Sequence, residues 1–378
     1  MNILQLISSS EGYYGAEHVC VTLSAELEQM GVTSVVGAFR NCAKAVHLEV
    51  LDQAKLAGLK TEEVTCRGRF DLDAILAIRN VVERHKIDVI HCHNIKPSLY
   101  ACLAAHNWPV AVVSTCHTWA INSAASWLLS VLDRCILHAV DRVVLVSDHM
   151  KPQIRRAGLR GTLIYNGIDL KPFSQITSDL RQKMNWFDRP IIATICRLNP
   201  EKGLRHLLRA AADVVQSFPS ALFVLAGNGP ERQNLEAETL ALGIQDSVCF
   251  LGVRDDVPEL LSCADVLAIS SVSEGLPMVL LEAMASRCAV VASKIGAIPH
   301  VIQDRDNGML VKAGDADGLA QALKSLLQSK ELRVALARNA RYTVESRFSA
   351  AIMASQYLQV YREVISARSP SEVALAAM

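Results

Sequence analysis

Short runs rich in Val and Ile alternate with amphipathic stretches of helical length along most of this chain, and no other feature narrows the fold as far. The first cycle is "NILQLIS", then the loop "SSEGYYG", then "AEHVCVTLSAELEQMG", where Val19, Leu23, Leu27 and Met30 recur at helical spacing and Gly31 supplies a stop. Strand-like "TSVVGAF", "IDVIHCH", "VAVVSTCH" and "DRVVLVSD" follow, with helix-like "DLDAILAIRNVVERHK" among them. Such runs between helices imply parallel strands covered on both faces. The rhythm breaks over Leu163 to Pro190, a polar, turn-rich stretch with two prolines that reads as an interdomain linker. It resumes at "IIATICRL" and continues through "ALFVLAG", "VCFLG", "DVLAIS", "AVVAS" and "GMLV". The expectation is an α/β chain of two Rossmann-like, doubly wound parallel-sheet domains facing each other across a cleft. The 378 residues suffice for two such domains, and 51% hydrophobic content supplies their cores.

Several function classes drop out. Lys plus Arg equals Asp plus Glu, at 38 each, so no net field points to nucleic acid. No apolar run reaches the ~20 residues needed to span a bilayer. "MNILQLISSS" reads as a first strand rather than a signal peptide. The eleven cysteines form no CxxC pair and sit mostly in apolar runs, the pattern of core thiols in a reducing cytoplasm. "HCHN" and "TCH" look metal-like, but strand alternation sends His91 and His93 to one face and Cys92 to the other, so no metal is expected.

In parallel sheets ligands gather beyond the carboxyl ends of the strands. "SEGLPMVLLEA" occupies that position after "DVLAIS". Pro277 suits the first turn of the helix that follows, whose free N–H groups attract phosphate. Glu282 then lies about one and a half turns inside, among Val279, Leu280, Leu281, Ala283 and Met284. An ionised carboxylate there is costly unless hydrogen-bonded, and a ribose offers two adjacent hydroxyl donors. Glu282 is therefore read as a ribose ligand, Glu274 in the loop as a ligand of the group beyond the phosphate. The competing reading puts Glu282 on a solvent face.

"CRLNPEKG" places Arg197 at a strand exit and Lys202 just before a helix, two cations able to grip a diphosphate. "AGNGPER" is a glycine-containing strand exit that a turn alone also explains. In the first half, "SSSEGYYGAE" ends at a helix start, with Gly12 and Gly15 as hinge or contact glycines. It is not GxGxxG, which speaks against a nicotinamide cofactor. "STCHT" puts His117 at a strand end.

With these pieces in order, the chain resembles the retaining GT-B glycosyltransferases of glycosyltransferase family 4. The matching segments are "GAE", "CHT", "VSDHM", "IYNGID", "CRLNPEKG", "AGNGPER", "FLGVRDDVPELLSCADVLAISS" and the Glu274–Glu282 pair inside "SEGLPMVLLEAMA". The resemblance covers nearly the whole chain. It implies transfer of a sugar from a UDP- or GDP-linked donor, with retention and without a metal or other cofactor. Carried over, Arg197 and Lys202 hold the donor diphosphate, Glu282 the ribose and Glu274 the sugar hydroxyls. Gly15 approaches phosphate and sugar, and His117 touches the sugar. Asn228, Gly275, Leu276 and Pro277 complete the donor-binding set, with Glu274, His117, Arg197 and Lys202 at the chemistry. The last helix resembles the family's closing helix, which assigns 1–167 with 351–378 to an acceptor-side domain and 168–350 to a nucleotide-sugar domain. "IGAIPHVI" departs from the pattern, with His300 where many relatives carry an acid. A GT-B sugar-nucleotide epimerase, a non-catalytic partner subunit and a pure sugar-binding module, which would need no diphosphate clamp, are the alternatives.

The acceptor implied is a saccharide or lipid-linked saccharide in cell-surface polysaccharide or glycolipid synthesis. "SDHMKPQIRRAGLRG" adds Lys151, Arg155, Arg156 and Arg160, which as one helix give two basic rows, with Trp119 and Trp127 nearby. Basic and aromatic groups together suit the anionic inner leaflet of the plasma membrane, to which a cytoplasmic enzyme docks peripherally. The rival is a solvated basic face.

Overall fold

The computed structural model describes residues 1–8, 15–41, 47–67, 71–117, 134–174, 176 and 179–368. The chain divides into two compact units, Met1–Gly167 with Ala350–Met378, and Ile168–Ser349.

The first unit is built on a parallel sheet of β1 (Asn2–Ser8), β2 (Thr33–Asn41), β3 (Lys60–Cys66), β4 (Val89–His93), β5 (Ala111–Cys116), β6 (Arg142–Leu145) and β7 (Gly161–Leu163), in the order β3-β2-β1-β4-β5-β6-β7. Leu4 and Leu6 of β1, Ile90 and Cys92 of β4, and Val112 of β5 all face one way, into a core shared with the helices Leu72–His85 and Ile95–Ala105. Alternation sends Gln5, His91, His93 and Thr115 the other way. There they meet Tyr357 and Tyr361 of the long helix Ala350–Arg368, which caps that face.

The second unit holds β8 (Ile191–Ile195), β9 (Leu222–Ala226), β10 (Val248–Gly252), β11 (Val266–Ile269), β12 (Ala289–Ser293) and β13 (Met309–Val311), all parallel, in the order β10-β9-β8-β11-β12-β13. The four inner strands β9, β8, β11 and β12 are buried, and the edge strands β10 and β13 are partly so. Phe223 and Leu225 pack under the helices Leu204–Ser217 and Ala316–Gln328, while Leu222, Val224 and Ala226 pack on the other side against Leu180, Trp186 and Leu260.

Those contacts revise the reading of residues 163–190 as a linker. Leu180 and Trp186 are buried in the second unit, and Arg181 donates to the carbonyls of Cys263, Phe187 and Arg189 and to the Asp265 carboxylate. Polarity and prolines hid a segment whose Ile168, Leu180 and Trp186 go inside while Phe187 stays exposed.

In each sheet the strand order reverses once, between β1 and β4 and between β8 and β11. Loops leaving the two strands at such a point diverge, and the gap between them is where a ligand enters an open parallel sheet.

Candidate active site

Lys202 and Glu274 leave the two strands that flank the reversal in the second unit. Lys202 ends a short 3-10 turn after β8, and Glu274 lies in the exit loop of β11. Their side chains meet, with Lys202 Nζ 2.5 Å from Glu274 Oε1, and are only 17% and 11% exposed. The Ser271 hydroxyl donates to the same carboxylate oxygen at 2.7 Å. Backbone contacts hold the loops in register. The Ser270 hydroxyl donates to the Lys202 carbonyl at 3.0 Å, and the Val272 amide to the Glu201 carbonyl at 2.9 Å.

Two glycines permit this closeness. Gly203 has φ +60°, and a Cβ on it would lie 2.3 Å from the Ser270 carbonyl oxygen. Gly296 has φ +53°, and its Cβ would lie 2.2 Å from the Glu274 carbonyl oxygen. Any side chain at either position would push a loop out of place.

Pro277 is the N-cap of the helix Met278–Ala285 rather than part of its first turn. Having no polar side-chain atom, it leaves the helix start without a side-chain cap. Apart from the Leu280 amide, which donates to the Pro277 carbonyl, the first-turn N–H groups and the positive end of the helix dipole are thus available to an anion. Glu282 lies one turn in, nearer the helix start than the spacing argument placed it. Its neighbours Leu280, Leu281, Ala283 and Met284 are buried, and burial pushes its carboxyl up to about 7. No hydrogen bond to that carboxylate occurs among the described residues.

Arg197 is exposed two residues beyond β8. Asn228 is exposed beyond β9, where its side-chain carbonyl accepts from the Gly229 amide and its backbone carbonyl accepts from the Leu198 amide. Gly275 and Leu276 are half-buried in the β11 loop, and the Gly275 carbonyl accepts from the Ala297 amide. The structure therefore gathers eight candidates of the second unit at the carboxyl ends of β8, β9 and β11. His300 is exposed in the helix Ile298–Val301, and its backbone carbonyl accepts from Arg347.

Gly15 and His117 belong to the first unit. Gly15 is exposed as the first residue of the helix Gly15–Gln29. Gly12 lies outside the described residues. His117 follows β5 directly, half-buried, with its Nε2 3.0 Å from His93 Nδ1. Burial pulls its imidazole down to about 4 and that of His91 to about 3. Both ring nitrogens of His91 and of His93 have protein partners. His91 meets Thr115 and Tyr361, and His93 meets Gln5 and His117.

The basic stretch differs from its expected form. The helix Lys151–Arg156 stops before Arg160, so Arg156 and Arg160 do not share a helical row. Lys151 is paired with Asp148, leaving Arg155, Arg156 and Arg160 exposed. Trp119 and Trp127 lie outside the described residues. Among the described residues no helix is long and apolar enough to cross a membrane, and the ten described cysteines are free thiols.

Sequence reasoning missed Ser271, which has an exit-loop signal three residues before Glu274, and the Gln5–His93 contact. Its only signal was a lone amide inside the apolar strand "NILQLIS".

Two family models match the chain, Glycosyltransferase Family 4 over residues 13–172 and Glycosyl transferases group 1 over residues 177–343. D-inositol 3-phosphate glycosyltransferase of Salinispora arenicola is 30% identical over 366 residues, covering 88% of this chain and 81% of that protein. N-acetyl-alpha-D-glucosaminyl L-malate synthase of Bacillus anthracis is 28% identical over 305 residues, covering 78% and 80%. Among solved structures, Anabaena HepE in complex with UDP-glucose superposes with a TM-score of 0.80 at 22% identity, over 96% of this chain and 99% of that one. Sucrose-phosphate synthase from Thermosynechococcus elongatus superposes at 0.78 and 22% identity, over 97% and 100%.

Proposed function

The chain belongs to the GT-B glycosyltransferases of the group 1 family, and from that premise we propose a retaining, metal-independent transfer of sugar from a UDP- or GDP-linked donor to a saccharide or lipid-linked saccharide. The observation that carries the donor assignment is the Lys202–Glu274 pair, set at the strand reversal beside an uncapped helix start. A relative of the same fold that holds UDP-glucose supports it.

In this reading the ion pair is a placeholder that the donor exchanges. The diphosphate takes the Lys202 ammonium, joined by the Arg197 guanidinium and the N–H groups after Pro277. Glu274, released from Lys202 but still held by Ser271, accepts hydrogen bonds from sugar hydroxyls. Glu282 accepts from the ribose hydroxyls. Asn228, Gly275 and Leu276 shape the walls of the donor site, Gly15 approaches the phosphate and sugar, and His117 touches the sugar. As the bond to the anomeric carbon breaks, negative charge grows on the departing diphosphate. Fixed cations and dipoles already in place stabilise that charge more than the ground state. They supply the positive charge that leaving-group departure needs, so the proposal calls on no metal. The leaving phosphate helps to deprotonate an acceptor arriving on the same face, which retains the anomeric configuration.

The exposed Arg155, Arg156 and Arg160 support docking on an anionic inner leaflet, where each cation adds ~1 kcal/mol and a lipid-linked acceptor is at hand.

A panel of nucleotide sugars tests the reading. A true donor at a hundred times its dissociation constant adds ~2.7 kcal/mol of stability. With acceptor it yields a glycoside whose anomeric proton coupling matches that of the donor. A coupling of the opposite anomer would overturn retention, and conversion of the donor with no acceptor present would favour the epimerase.

A further inference from the structure

The face of the first sheet beneath the helix Ala350–Arg368 holds a continuous chain of polar side chains in an apolar interior. Gln5, His91, His93 and Thr115 are fully buried. So are Tyr357 and Tyr361, on a helix more than 230 residues further along the chain.

The contacts give this chain a direction. The Gln5 side-chain carbonyl accepts from His93 Nε2–H at 2.9 Å. Burial holds the His93 imidazole neutral at ordinary pH, so it carries one proton, and its Nδ1 is bare. That lone pair accepts from His117 Nε2–H at 3.0 Å. His117 is also neutral, so its own Nδ1 is bare in turn. The other arm agrees. The Gln5 amide donates to the Tyr361 hydroxyl at 3.3 Å, Tyr361 donates to His91 Nδ1 at 2.7 Å, and His91 Nε2–H donates to the Thr115 hydroxyl at 2.7 Å. Each ring carries one proton, and every ring N–H of His91 and His93, with the Nε2–H of His117, meets an acceptor. Among the described residues nothing engages Nδ1 of His117.

We propose that Gln5 and His93 are positioning residues, which hold His117 as the neutral Nε2–H tautomer and so dedicate its Nδ1 to accepting a hydrogen bond from a substrate hydroxyl. The inference rests on the reading of His117 as a substrate contact and extends it to the chemical class of the group recognised. A bare imidazole nitrogen accepts but cannot donate. It therefore selects a hydroxyl and disfavours a carboxylate or phosphate oxygen at that point. The hydrogen bond on one ring nitrogen decides what the other can do.

The test is nitrogen NMR of the full-length, ligand-free protein with labelled histidines, read beside kinetics. Wild type should show His117 protonated at Nε2 and bare at Nδ1. His93→Asn, whose side-chain carbonyl can stand in for the ring acceptor, should keep that tautomer and most of the activity. His93→Phe should give a mixture of tautomers and lower kcat/KM by ~10–100-fold, with affinity for the free nucleoside diphosphate unchanged. Wild-type His117 protonated at Nδ1, or a tautomer indifferent to His93→Phe, would overturn the proposal without needing any variant to be active. The expected tautomer in a protein that turns over no nucleotide sugar supports the positioning and overturns the donor role of His117.

Discussion

Glu282 makes nucleotide affinity depend on pH in a calculable way. Its carboxyl is pushed from the ordinary 4.5 up to about 7 by burial alone. The displacement, about two and a half pH units at about 1.4 kcal/mol each, makes the ionised form cost roughly 3 kcal/mol in the empty site. An acid whose folded value is raised favours the folded state most at low pH. That advantage declines from pH 4.5 upward and is gone above about 7. If ribose hydroxyls donate to this carboxylate, binding requires the ionised form and releases a proton below pH 7. Affinity for the nucleoside diphosphate should then fall about tenfold between pH 8 and pH 6 on account of this group. Glu282→Gln keeps the shape and deletes the titration. At pH 8 it should bind the nucleotide more weakly by ~1.5–3 kcal/mol, while the ligand-free variant gains up to ~3 kcal/mol of stability over wild type. The nucleotide's terminal phosphate titrates near pH 6 in both proteins, so the difference between the two curves isolates Glu282. Calorimetry in two buffers of different ionisation enthalpy counts the released protons directly. Parallel curves for wild type and Glu282→Gln, with equal affinity at pH 8, would refute the ribose contact.

Lys202→Ala removes the cation facing the leaving group and should lower kcat/KM by at least ~10²-fold; wild-type turnover in a folded variant removes the clamp from the mechanism. Gly203→Ala sets a Cβ against the Ser270 carbonyl at a positive φ and should cost ~2–4 kcal/mol by denaturant unfolding; an unchanged midpoint would show that the loops can part. Arg155→Glu with Arg156→Glu should abolish co-sedimentation with anionic vesicles at low salt. Binding untouched by that change, or absent from wild type, would leave a soluble acceptor.

Buried parallel strands are easy to read because both faces are apolar, and β1, β8, β9 and β11 all appear as short Val-, Ile- or Leu-rich runs. Edge strands lack that signal. β3, "KTEEVTC", pairs only with β2 and carries Glu62 and Glu63 outward to Arg84 and Arg40, so it resembles a loop. β7 is three residues long with a glycine, and the helix Ile95–Ala105 hides behind Pro97 in its first turn. At the candidate site, strand exits marked the loops, but periodicity carries no information about contacts across the sheet. Lys202 meets Glu274 from 72 residues away, and Tyr361 meets His91 from 270 residues away. Alternation alone placed His91 and His93 on one face, yet only the fold shows what they touch there.

The helix Ala350–Arg368 also bears on the order in which the chain is made. Synthesis delivers the first sheet early, but the two tyrosines that cover Gln5, His91 and Thr115 arrive only after the second unit has emerged. Until then a polar, half-built face stays open to water and to other nascent chains. Domains made on the ribosome usually close in order from the amino end. Here the unit begun first is finished last, so a stalled or prematurely terminated chain strands its first half without its cover, whatever the state of its second.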